Sequence, residues 1–232
     1  EASLEGRTFS VRTGRERVNM TDSELPILSP AEARILGCLI EKKELTPDIY
    51  PLTANAALAA ANQKTAREPV MALEMAEVSR ALATLQQKGL VRQAFASRVD
   101  RYEHLLAQKF SLTRAQGAIV GLLLLRGPQT AHELLARTER MASFASVEGV
   151  KSDLDLLIGR RPPLVQLIER GPGQREDRYA HLLSGPVEAP ASREPTRVSS
   201  ASQDPGLEAR VRALEEQVAA LAERLGKLAG ES

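Results

Sequence analysis

The chain has 232 residues, 43% of them hydrophobic, with 31 Lys and Arg against 30 Asp and Glu. That length suits two domains of about 80 residues plus tails, and the near-zero net charge of +1 excludes a polyanion binder driven by bulk charge. One Cys and three His exclude a disulfide framework and a four-Cys zinc site, and 3% aromatics without Trp leave few platforms for stacking bases or sugars.

Residues 1–27 are polar and aperiodic and are expected to be disordered, with Met20 a candidate natural start. The first helix begins at Leu28-Ser29-Pro30-Ala31-Glu32, where Ser29 is the N-cap, Pro30 takes N1 and Glu32 takes N3 of a capping box. It runs on through Ile35, Leu36, Leu39 and Ile40. A second helix is expected over about 53–61. A third carries the stripe Val78, Leu82 and Leu85 and stops at Lys88-Gly89, where Gly supplies a left-handed cap. Two short strands, 90–95 and 102–106, close the unit around 97–100.

The pattern then repeats. Thr113 and Gln116 restate the capping box, followed by Ile119, Val120, Leu123 and Leu124. Thr130 with Glu133 opens a second helix over about 131–139. Val147, Val150, Leu154, Leu157 and Ile158 form the third stripe, which ends at Gly159. Strands are expected at 164–169 and 179–183 around a polar loop, 171–177. Arg101-Tyr102-Glu103-His104-Leu105-Leu106 nearly matches Arg178-Tyr179-Ala180-His181-Leu182-Leu183. The offset is 77 there and 84 at the helix starts, which fits a longer linker between helices in the first copy. Three helices and a hairpin make a winged helix, so the predicted fold is mainly α with small β-hairpins (α+β). It comprises two tandem winged-helix (helix-turn-helix) domains at 28–111 and 112–187.

A Pro/Ala/Ser linker follows at 188–206, and then a helix at 207–229. Leu207, Val211, Leu214, Val218, Leu221, Leu225 and Leu228 alternate steps of four and three, an a/d seam with charged flanks. So short a helix needs a partner in water. A homo-oligomer, in the first instance a dimer, is the expected use; docking on the chain's own globular part and a foreign partner helix are the alternatives.

Several motifs resemble those of the YceH family of bacterial proteins. They are Asn62-Gln63-Lys64-Thr65-Ala66-Arg67-Glu68-Pro69-Val70-Met71, Thr46-Pro47-Asp48-Ile49-Tyr50-Pro51-Leu52, Arg140-Met141 with Phe144, and the run from Pro172 to Leu182. The resemblance covers about 28–188 and implies the tandem winged-helix fold, while that family is uncharacterised and implies no activity. The family pattern usually carries Asn where Ala66 stands.

A winged helix binds DNA when its third helix presents donors to the major groove. Here the third helices carry Glu74 and Glu77, and Glu148, Asp153 and Asp155, against Arg80, Thr84, Gln87, Lys88 and Lys151. The candidate nucleic-acid contacts are therefore Asn62, Gln63, Lys64, Thr65 and Arg67 ahead of the third helix, Arg80 on it, and Arg98, Arg101, Arg175 and Arg178 around the wings. Arg92 and Arg170 lie in the same regions. Solvated loops with local pairs, such as Arg175 with Glu176 or Asp177, are the plain alternative, as are Asn62 or Thr65 as caps and Arg67 paired with Glu68.

Cys38 reads as a small core residue, and His104 and His181 as packing residues at one repeated place. His132 falls in the first turn of a helix. No catalytic triad order, HExxH, Walker loop or GxGxxG appears, so no enzyme, cofactor or metal is expected. No apolar run approaches the roughly 18 residues of a membrane span; the longest, 118–125, is broken by Gly121. The opening residues lack a secretory pattern, so a cytoplasmic protein is expected. Two functions compete: a nucleic-acid-binding regulator with double-stranded DNA as partner, and a protein–protein adaptor.

Overall fold

A computed structural model of the chain describes residues 25–94, 99–171 and 173–187. The expected tail over 1–24, Arg98, the linker and the seam from Leu207 to Leu228 lie outside the described residues.

The elements run α1 (Pro30–Leu45), a 3-10 turn (Pro47–Ile49), β1 (Leu52–Thr53), α2 (Ala54–Ala61), α3 (Met75–Gln87), β2 (Val91–Ala94), β3 (Arg101–His104) and α4 (Leu106–Phe110). They continue with α5 (Arg114–Arg126), α6 (Ala131–Thr138), α7 (Val147–Gly159), β4 (Val165–Ile168) and β5 (Arg178–His181). The described chain is α+β, mainly helical, with small antiparallel sheets.

The capping boxes form as the residue types require. Ser29 accepts from the Glu32 amide while Glu32 accepts from the Ser29 amide, and Thr113 with Gln116 and Thr130 with Glu133 do the same. Gly89 closes α3 at φ 65°, in the left-handed region. After Gly89 and after Pro163 the chain folds back as antiparallel pairs, β2 on β3 and β4 on β5.

Two features were not read from the sequence. A third strand, β1, joins the first hairpin through Leu52 opposite Tyr102. Its counterpart is a single bridge between Gln129 and Tyr179, and both pairs obey the same offset of 77. Further, the expected strand 102–106 ends at His104. Leu106 and Phe110 are buried in the short helix α4, whose apolar face is worth more against the core than in a ribbon edge.

One apolar core spans both triplets. α1 and α5 lie side by side at its centre, and every residue from Glu32 to Glu41 and from Gln116 to Leu125 is buried. A helix apolar on all sides must be covered on all sides. That accounts for the run 118–125. No helix among the described residues is long and apolar enough to cross a membrane.

Close approach of α1 and α5 depends on two glycines. A Cβ on Gly37 would lie 2.9 Å from Leu125 Cγ and 3.1 Å from Leu124 Cβ; one on Gly121 would lie 2.7 Å from Ile40 Cγ2. Gly121 is Gly37 displaced by 84, and Leu124 is Ile40 displaced by 84. Each glycine thus meets the other's counterpart, the reciprocity of a two-fold contact built within one chain.

Candidate functional site

The segment 62–74 between α2 and α3 is held as a strap rather than presented as a ligand surface. Arg67 is 5% exposed. Its Nη1 and Nη2 donate to Glu41 at 3.0 and 2.6 Å, Nε donates to the Ala60 carbonyl at 3.0 Å, and Nη2 also reaches Gln63 Oε1 at 2.8 Å. Burial works against this charge, but the Glu41 carboxylate more than offsets it and raises the Arg67 pKa. Asn62 closes α2 by donating to the Leu73 carbonyl and accepting from the Leu73 amide, both at 2.8 Å.

From α1, buried Arg34 donates to the carbonyls of Ala61 at 3.2 Å and Pro69 at 2.6 Å. The Glu68 amide donates to the Leu125 carbonyl at 2.9 Å, which ties the strap of the first triplet to α5 of the second. Arg67, Asn62 and Gln63 are therefore fastened inside the protein, and only Lys64 and Thr65 of that candidate set stand exposed. The Arg67 partner is Glu41 on α1, not the neighbouring Glu68.

The hairpin arginines divide in the same way. Arg101 donates to the Pro51 carbonyl at 2.8 Å, and Arg178 donates to the Pro128 carbonyl at 3.0 Å, again at an offset of 77. These two pin hairpin to helix entry. Arg92 pairs with Glu103 across β2 and β3 at 2.6 Å. Arg80 is exposed on α3.

Arg175 lines a cleft of about 320 Å³ between α6, α7 and the β4–β5 loop, together with His132, Lys151, Arg170, Glu176, Asp177 and Tyr179. Both lining carboxylates are engaged. Asp177 accepts from the Arg170 amide at 3.0 Å, and Glu176 Oε2 lies 2.9 Å from His132 Nδ1. Arg170 itself reaches the Arg175 carbonyl at 3.3 Å. Neither the Lys151 ammonium nor the Arg175 guanidinium has a hydrogen bond or ion pair among the described residues. Burial raises the Tyr179 pKa, with Asp155 and Asp177 adding to it, so the phenol stays a proton donor. Glu148, one turn before Lys151, feels the Lys151 charge. The surroundings are thus of mixed sign, with two uncommitted cations facing the cleft.

Sequence reasoning named Arg175 but placed Lys151 only as a minor offset to acids. The readable signal was its position on α7, the helix that the second loop folds against. Cys38 is fully buried and its thiol is pushed up to about 11 by burial, which leaves it unreactive. No group of metal-ligating side chains exists among the described residues.

A family model described as "Protein of unknown function, DUF480" matches residues 28–174. A UPF0502 protein of Mesorhizobium japonicum is 70% identical over 207 residues, covering 89% of this chain and 99% of that relative. This chain belongs to the DUF480 (UPF0502) family. Other DUF480 (UPF0502) relatives include one from Xanthomonas campestris pv. campestris, 53% identical over 208 residues (88% of this chain, 93% of the relative). Another, from Stenotrophomonas maltophilia, is 49% identical over 219 residues (91% and 100%). The membership agrees with the YceH-type resemblance of the motifs, and the DUF480 match takes in the strap, both hairpins' first strands and α7.

Proposed function

We propose that this DUF480 protein is a non-enzymatic tandem winged-helix protein, with units at 28–111 and 112–187, that binds double-stranded nucleic acid in a regulatory role. The observation that carries the reading is the pair Lys151 and Arg175, two cations without protein partners where the third helix of the second unit meets its wing. Cations so placed contact phosphates and fix orientation without reading bases. Exposed Glu74 and Glu77 start one third helix, and Glu148 and Asp155 occupy the other, so insertion of either helix between phosphates is opposed. The binding mode is therefore led by the wing and tolerant of sequence. With about three phosphate contacts, affinity falls with salt at a log–log slope of roughly −3. Dimerisation through the seam of Leu207 to Leu228 belongs to the same proposal and would set two such surfaces on one duplex.

A second reading, a protein-binding adaptor, is favoured by the exposed carboxylates of both third helices and by Leu156, 60% exposed on α7. Fluorescence anisotropy with a labelled duplex over a salt series separates the two. Salt-dependent binding supports the first reading; absent or salt-insensitive binding at low ionic strength overturns it.

A further inference from the structure

The two triplets differ most where the strap lies. The link between α2 and α3 spans 62–74, whereas its counterpart between α6 and α7 spans only 139–146. The extra length is used on two sides. Arg67 and Asn62 fasten its inner side, while Met71 and Leu73 on its outer side wall a groove of about 490 Å³ against α3 and the start of α1. Ala81 of α3 adds to the apolar lining.

Three charges line the groove: Glu32, Glu77 and Arg80. Glu32 is committed to Lys88 and to the Ser29 amide, and Glu77 accepts from the Glu74 amide at 2.8 Å. Arg80 is exposed and its guanidinium has no partner among the described residues. The uncommitted charge at this apolar groove is thus positive. A flexible thioether such as Met71 lets such a wall adapt to an incoming side chain.

We infer that this groove docks a short apolar segment of a partner protein, anchored by a carboxylate on Arg80. The apolar walls and the acidic start of α3 disfavour nucleic acid here, so the surface is separate from the phosphate contacts of the second unit and goes beyond them. Apolar side chains fill the space between Met71, Leu73 and Ala81, and one Asp or Glu pairs with the guanidinium.

The test is selection of a random peptide library displayed on phage against the full-length protein, followed by affinity measurements on the enriched synthetic peptides. The inference expects apolar peptides that share an Asp or Glu. It expects Arg80→Glu to weaken them about tenfold or more, and Arg80→Lys to retain part of the binding. Arg80 is exposed, so unfolding midpoints of both variants should match the parent and exclude a folding effect. No enrichment, enriched peptides without a carboxylate, or equal binding by Arg80→Glu overturns the inference. So does self-association of the protein that Arg80→Glu abolishes, since the occupant would then be a second copy of this chain.

Discussion

Arg67 in the strap and Glu41 on α1 form a two-pronged ion pair, at 3.0 and 2.6 Å, with the Arg67 side chain wholly buried. The pair lies beside Cys38 and seals the ends of α1 and α2 under the strap. Removing one partner leaves a buried charge alone, at a cost of about 3–5 kcal/mol. Arg67→Ala should therefore lower the denaturant midpoint strongly, while exposed Lys64→Ala should leave it unchanged. Equal and small effects in urea unfolding would contradict the assignment of Arg67 as a structural residue.

The α1–α5 contact predicts intolerance at its two glycines. Even a methyl at Gly121 would stand 2.7 Å from Ile40 Cγ2. Overpacking of this kind costs about 1–3 kcal/mol. Gly121→Ala should lower the melting temperature, and Ile40→Val should recover part of the loss in the double variant. Additive losses would show that the two residues do not share the crowded space.

Ala66 has φ 60°, in the left-handed region that an alanine adopts only with strain. Asn tolerates that conformation, which explains why it is usual in the family pattern at this place. Ala66→Asn should raise stability by about 0.5–1 kcal/mol. A decrease measured by chemical denaturation would refute the backbone explanation.

This strap is also where the sequence was misleading. A run of hydrogen-bonding side chains reads as a surface waiting for a ligand, yet Asn62, Gln63 and Arg67 spend their donors on Leu73, Glu41 and one another. Their partners are on α1 and at the head of α3, and pairing at that range leaves no periodic trace. By contrast, the capping boxes at Ser29, Thr113 and Thr130 were legible because donor and acceptor are three residues apart. Duplication was legible too, since an offset of 77 runs through Arg101 and Arg178. The sequence did not disclose that both arginines turn inward to Pro51 and Pro128, because the strand β1 they support is only two residues long. The cleft at Lys151 and Arg175 required knowing that loop 171–177 folds toward α7.

Twin histidines set the acid limit of stability. Burial lowers the pKa of His104 from 6.5 to about 4, with Lys43 adding to the shift, and burial alone lowers His181 to about 4. The unfolded chain takes up these protons near 6.5, the folded one only near 4. Between those values the unfolded state holds more protons, so stability is full above about 6.5 and declines as pH falls toward 4. Replacing both rings by Leu should flatten the melting temperature between pH 7 and pH 5; the His104 amide would keep its bond to Tyr50 Oη at 2.7 Å. An unchanged pH slope in that variant would contradict the burial account.

The most direct measurement of the central claim compares salt dependence of duplex binding for the parent protein and for the Lys151→Ala/Arg175→Ala double variant. Two lost phosphate contacts should reduce the log–log salt slope by about 2, uniformly across duplex sequences. Lys64→Ala, in the other unit, should change it by less. A double variant with the parental slope, or a loss confined to one duplex sequence, would contradict phosphate contact at this cleft.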